Sequence, residues 1–154
     1  QTRIATSDGI MPTFIAHPAS GAASPVVLVL MDGLGFREPL KDVARRLATL
    51  GYYAMLPDLY YRAGPAPPIR RDDPGEWDRM MKLIQSLSDA KVIQDAETLL
   101  EHADGDAAAR SGPAGVMGFC MGGRFSLVVA QGLGARIGGA AAVVLAVVGL
   151  VSLL

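Results

Sequence analysis

The chain has 154 residues, 51% of them hydrophobic and 19% charged, with 18 Gly and 10 Pro, the composition of one globular α/β-type domain and not of a disordered chain. Fourteen basic residues against fifteen acidic ones leave a formal net charge of −1, which excludes the footprint of a nucleic-acid binder or of a protein held on an anionic membrane. One cysteine and two histidines make neither an internal disulfide nor a Cys/His zinc site, so no metal and no cofactor is expected, and a reducing, cytoplasmic setting with a small-molecule partner fits best.

Arg3 and Asp8 stand near the start with no apolar run behind them, so the opening residues do not read as a secretory signal. Residues 3 to 17 predict a β-hairpin that turns at Ser7-Asp8-Gly9 and ends at Pro18. Val26 to Met31 form an unbroken apolar run after Pro25, the signature of a strand buried on both faces, and Gly33 and Gly35 break it. Pro39 opens a helix with Leu40, Val43, Ala44, Leu47 and Leu50 on one face, and Gly51 stands where a left-handed residue closes it. Tyr52 to Leu56 predict the next strand.

Five prolines between residues 57 and 75 forbid a helix there. Helix resumes at Glu76, where Trp77, Met80, Met81, Ile84 and Leu87 recur at helical spacing and the Met80-Met81 pair reads as core filling. A second helix follows, with Asp89 near its cap and Val92, Ile93, Ala96, Leu99 and Leu100 facing inward. Residues 114 to 119 predict a short strand, 123 to 133 a helix and 140 to 148 a last strand. Strand and helix alternate from residue 26 onward, so the sheet is expected to be largely parallel with helices on both faces and the hairpin at its edge. From Gly138 to Leu154 there is no charge, but Gly138, Gly139 and Gly149 interrupt the run and no basic flank follows. It therefore reads as a strand buried in the sheet; a membrane anchor is the alternative.

The chemistry concentrates at Val116-Met117-Gly118-Phe119-Cys120-Met121-Gly122-Gly123, an apolar strand running into a helix through G-x-C-x-G. Such a turn is a nucleophile elbow: it is so sharp that its central side chain is raised above the sheet, and only small residues two positions before and after it avoid a clash. Cys120 at the mouth of the helix meets the positive end of the macrodipole, which favours thiolate, and the Met121 N–H is offered to a developing oxyanion. A lone cysteine is otherwise a small buried hydrophobe; the strand before it and the helix after it favour the nucleophile.

Three segments resemble the dienelactone hydrolases, α/β-hydrolase-fold enzymes that use cysteine where most relatives use serine. They are Leu30-Met31-Asp32-Gly33-Leu34-Gly35, the run Gly51-Tyr52-Tyr53-Ala54-Met55-Leu56-Pro57-Asp58-Leu59-Tyr60-Tyr61-Arg62, and Gly118-Phe119-Cys120-Met121-Gly122-Gly123. The resemblance implies an α/β-hydrolase-type three-layer sandwich with a mostly parallel sheet, its C-terminal part missing or altered. It implies that Cys120 attacks an ester or lactone to give an acyl-enzyme, and that the backbone N–H groups of Met121 and Gly33 hold the oxyanion. By the same resemblance Arg62 binds a substrate carboxylate and points toward the Cys120 pocket, while Asp32 takes the place of a glutamate that meets the thiol proton. Without the family, Arg62 reads as a solvated residue, Asp32 as a turn former and Asp58 as a loop cap; His17 ends a strand and His102 lies near a helix C-terminus.

Triads on this fold run nucleophile, acid, histidine along the chain, and residues 121 to 154 contain no Asp, Glu or His. The sequence therefore reads as a single, incomplete domain of a longer enzyme, or as one that departs from the family after about residue 137. The expected partner is a small carboxylate-bearing ester or lactone. A complete domain is expected to be monomeric, and a truncated one to dimerise through an open sheet edge. A non-catalytic binding domain that keeps the pocket without the histidine is the rival reading.

Overall fold

The computed structural model describes residues 1–19, 21–65, 67–70 and 72–143. Six strands form one sheet in the order β1-β2-β4-β3-β5-β6, with β1 Thr2–Thr6, β2 Gly9–Ala16, β3 Ser24–Leu30, β4 Tyr53–Pro57, β5 Ala109–Phe119 and β6 Ile137–Val143. The β1–β2 hairpin is antiparallel and joins the sheet edge through an antiparallel β2–β4 pairing, whereas β4, β3, β5 and β6 run parallel. This is the α/β sandwich expected from the alternation of strands and helices. The expected strand beyond Val143, and the rest of the uncharged run to Leu154, lie outside the described residues.

Helices α1 Glu38–Thr49, α2 Gly75–Ser86, α3 Asp89–Asp104 and α4 Met121–Leu133 cover the two faces. The pleat decides which side chains go where, since successive residues of a strand point to opposite faces. Val26, Leu28 and Leu30 of β3 pack with Val92, Leu99, Phe125 and Val129 of α3 and α4. Val29 and Met31, on the other face, pack with Leu40 of α1 and with Leu83 and Ile84 of α2. A strand that is apolar at every position is thus one that feeds two cores.

The helix ends follow the sequence signals. Pro39 lies in the first turn of α1, Gly51 beyond its end adopts φ +95°, and the Ser88 side chain caps α3 by accepting from the Lys91 N–H. β5 starts five residues before the apolar run, because Ala109 and Arg110 pair by backbone alone with Ser24 and Pro25 before the register shifts. Hydrophobic pattern is blind to such a segment.

Tyr53, fully buried in β4, donates its hydroxyl to Asp106 at 2.7 Å in the turn between α3 and β5. That bond, with one from the Ala108 N–H, holds the Asp106 carboxyl below its ordinary value of 3.8. A carboxyl whose pKa is depressed in the folded state stabilises the fold above its unfolded pKa and loses that contribution as pH falls through the folded one. The stability margin of the wild type over Tyr53→Phe is therefore expected at full size above about pH 4 and to shrink below it, as read by urea unfolding across pH 2.5 to 7. A margin that grows on acidification would contradict the assignment.

Candidate active site

The turn from β5 into α4 bends at Cys120, whose φ of 52° and ψ of −113° make it the one non-glycine residue with positive φ among the described residues. Such a conformation costs about 1–3 kcal/mol in an L-residue and persists only where its surroundings impose it. The surroundings do so here. A Cβ added to Gly118 would stand 2.0 Å from the Gly122 carbonyl oxygen, and one added to Gly122 would stand 2.4 Å from the carbonyl oxygens of both Leu30 and Met31. The two glycines of G-x-C-x-G thus let the start of α4 press against the ends of β5 and β3. Cys120 is left exposed at the apex, a free thiol, with its N–H bonded to the Val143 carbonyl at 2.9 Å.

Gly118→Ala and Gly122→Ala are accordingly expected to destabilise the protein by more than about 4 kcal/mol, the range reserved for steric conflict in the core. Denaturant unfolding checks it. A change below about 1 kcal/mol would mean that the elbow is not held as described.

The same close approach brings the turn after β3 beside the first residue of α4. The Tyr60 hydroxyl donates to the Gly33 carbonyl at 3.0 Å and lies 3.7 Å from the Met121 sulfur, tying the two segments together. Burial, reinforced by the charges of Asp32, Asp58 and Cys120, raises the Tyr60 pKa, so the hydroxyl remains a donor. Met121 is the first helical residue, whose N–H has no partner within the helix. No hydrogen bond among the described residues uses the Gly33 N–H. Tyr60 was not singled out by the sequence; its neighbour Arg62 was, and only the folded chain distinguishes them.

Asp32 closes the turn between β3 and α1. Its carboxylate accepts from the Leu34 N–H at 3.0 Å and from Arg37 at 2.5 and 2.6 Å, and its carbonyl accepts from the Gly35 N–H at 3.0 Å. Its side chain is therefore engaged at the rim of the site by Arg37, a partner that the sequence reading did not name.

Arg62 is placed otherwise than expected. Its guanidinium donates to both oxygens of the buried Asp95 at 2.8 Å and to Asp8 at 2.6 Å, and it lies over the Tyr61 ring. It is not among the residues that line the cavity beside Cys120. The physical reason is Asp95: a carboxylate 1% exposed on α3 needs a partner, and Arg62 is the cation that meets it.

The cavity itself has a volume of about 720 Å³ and runs from Cys120, Gly33 and Asp32 to the face of α2. Trp77, Met80, Met81 and Ile84 form its wall; of the methionine pair expected as core filling, Met80 is buried, while both face the cleft. Trp77 is 63% exposed, and Met80 and Ile84 come within 3.3 and 3.0 Å of where a Gly33 Cβ would be. Helical spacing identifies a shared face but not whether that face meets protein or a cleft. Asp58 accepts from the Tyr60 N–H at 3.0 Å, and burial raises its pKa. His17 stacks on Tyr53, and neither it nor His102 lines the cavity.

A largely parallel sheet covered by helices on both faces, with a strained exposed residue where a strand turns into a helix, defines an α/β-hydrolase fold. Residues 11–144 match the dienelactone hydrolase family. The chain belongs to that family. It is 34% identical over 130 residues to a Methylorubrum extorquens protein that carries the inferred name carboxymethylenebutenolidase, covering 84% of this chain and 43% of that one. It is 29% identical over 118 residues to a Bradyrhizobium protein named by inference a 2-oxo-3-(5-oxofuran-2-ylidene)propanoate lactonase, covering 77% and 45%. Among solved structures, a Klebsiella pneumoniae protein assigned as a dienelactone hydrolase superposes with a TM-score of 0.73 at 31% identity, over 84% of this chain and 52% of that chain. The chain thus spans about half the length of the relatives it matches. No helix among the described residues is long and apolar enough to cross a membrane.

Proposed function

We propose that this chain carries the nucleophile half of an enzyme that hydrolyses small esters or lactones through an acyl group on Cys120. The observation that carries the reading is the backbone of Cys120, held at positive φ between two glycines and exposed at the end of a large cavity. Strain at one non-glycine residue has no packing use, and it is the geometry that lifts a side chain clear of the sheet. Family membership and the names of the Methylorubrum and Bradyrhizobium relatives, a carboxymethylenebutenolidase and a lactonase, agree with ester-bond chemistry.

In the reaction, the Cys120 sulfur as thiolate adds to the carbonyl carbon, and the carbonyl electrons pass to oxygen. The N–H groups of Met121 and Gly33 receive that oxyanion, with Tyr60 holding the Gly33 peptide toward Met121. The tetrahedral adduct collapses, the bond to the alcohol oxygen breaks, and the alkoxide takes a proton; in a lactone the alcohol remains tethered to the acyl group. Water then attacks the thioester carbonyl, the carbon–sulfur bond breaks, the carboxylic acid leaves and the sulfur regains a proton as the thiol. Asp32, paired with Arg37, keeps the Gly33 turn closed and serves as an auxiliary at the rim rather than as the base. The test is intact-mass analysis after incubation with p-nitrophenyl acetate: one acetyl group on the wild type and none on Cys120→Ala is expected. Acetylation spread over lysines with Cys120 unmodified would sink the proposal.

A further inference from the structure

A Gly33 N–H that receives an oxyanion must point in one direction, yet glycine is the residue least able to hold its own backbone in one orientation. Its surroundings hold it instead. The Asp32 carbonyl accepts from the Gly35 N–H at 3.0 Å, and because carbonyl and N–H point opposite ways in a trans peptide, this bond leaves the Gly33 N–H aimed out of the turn. The next peptide is gripped at both ends: the Leu34 N–H donates to Asp32 Oδ1 at 3.0 Å, and the Gly33 carbonyl accepts from the Tyr60 hydroxyl at 3.0 Å. The first two bonds are made within the turn, whereas the last comes from 27 residues away along the chain. We propose that Tyr60 is a positioning residue for acylation, its hydroxyl fixing the Gly33 N–H in register with that of Met121 so that an ester carbonyl is attacked faster; the proposal rests on the thiol-ester reading above.

Tyr60 is itself firmly held. Its N–H donates to Asp58 at 3.0 Å, and the Asp58 N–H donates to the Pro12 carbonyl of β2 at 2.8 Å, so the segment that carries it is pinned to the sheet. The ring is buried against Gly35, whose Cβ, were there one, would stand 3.5 Å from it. The hydroxyl also lies 3.7 Å from the Met121 sulfur, so one group meets both segments that carry the oxyanion donors. Tyr60 is not among the described residues that line the cavity beside Cys120. Loss of its hydroxyl therefore acts through the Gly33 turn and not through contact with the ester. Without that hydroxyl the Gly33 carbonyl loses its donor, and the permissive glycine lets the peptide swing toward another. The loss is felt in the transition state, where charge gathers on the carbonyl oxygen, and not by the free thiol.

The test compares two reagents on Cys120 that differ in whether an oxyanion forms. With p-nitrophenyl acetate one forms as the sulfur adds to the carbonyl. With iodoacetamide none does: the sulfur bonds to the methylene carbon, iodide leaves and the thiol proton passes to solvent. Both reactions are followed on the 154-residue chain by intact mass, and the first also by p-nitrophenolate release. Tyr60→Phe removes one oxygen atom and keeps the ring against Gly35, and a cooperative urea transition reports its fold. Its acetylation rate is expected to fall at least about tenfold, while alkylation stays within about twofold of the wild type. Tyr61→Phe, which removes the neighbouring hydroxyl bonded to Asp95 and Thr6, should leave the ratio of the two rates unaltered. Acetylation and alkylation falling together in Tyr60→Phe, both rates unchanged, an equal loss of ratio in Tyr61→Phe, or a Tyr60→Phe chain without cooperative unfolding would overturn the proposal while the thiol-ester reading stands. A wild type that gains no acetyl group on Cys120 would overturn that reading and this proposal with it.

Discussion

Prepared alone, these 154 residues are expected to release at most one equivalent of alcohol from an activated ester and then stop, with the acyl group retained on Cys120. On the proposed reading, acylation needs only the Cys120 sulfur and the two N–H groups of Met121 and Gly33. Deacylation needs water activated by a positioned base, a contribution of about 10²–10⁴-fold. After Cys120 the sequence contains no Asp, Glu or His, and neither His17 nor His102 lines the cavity. The measurement is a p-nitrophenolate burst quantified against protein concentration, with intact mass before and after. Cys120→Ala should abolish the burst. Many equivalents released by a preparation of confirmed mass would mean that an upstream group, Asp32 being the one at the cavity, performs the base's work.

Arg62→Ala is expected to act on stability and not on substrate binding. The Arg62 guanidinium links β1–β2, the turn after β4 and α3 through Asp8 and Asp95, and the Tyr61 hydroxyl also donates to Asp95 at 3.0 Å. Burial opposes the charge on Arg62, but the bonds to Asp95 and Asp8 outweigh it and hold the guanidinium protonated. Burial likewise pushes the Tyr61 hydroxyl up to about 12. Removing one partner of a buried pair leaves the other uncompensated, at a cost of about 3–5 kcal/mol, or a fall in melting temperature on the order of 10 °C for a chain of this size. The double variant Arg62→Met, Asp95→Leu should recover most of that loss, since it removes both charges at once. Urea unfolding of the three proteins decides it. If Arg62→Ala were as stable as the wild type and lost only its reaction with carboxylate-bearing esters, the residue would be a substrate clamp after all.

How much of this was legible in the residues depends on how far each signal reaches along the chain. The elbow is a local object: Gly118, Cys120 and Gly122 lie within five residues between an apolar strand and a helix, so sequence alone located it and named the Met121 N–H beside it. The parallel sheet was equally legible, because the apolar runs at β3 and β4 and the helical spacings of α1 and α3 are each contained in one element. Even Gly51 was readable, since a helix end needs its left-handed residue in one place.

Long-range pairing was not legible in this way. Arg62 and Asp95 are separated by 33 residues and Tyr60 and Gly33 by 27, and no spacing rule connects them. Family resemblance assigned Arg62 to a substrate; the fold pairs it with a buried carboxylate on α3, invisible as buried until the helix docks. The stripe of Trp77, Met80, Met81 and Ile84 announced an apolar face, and the sheet and the Gly33 turn turned that face into the wall of a cleft. A residue's conformational demands are written in its neighbours along the chain, whereas its electrostatic partner and the space in front of it are set only when distant segments pack together.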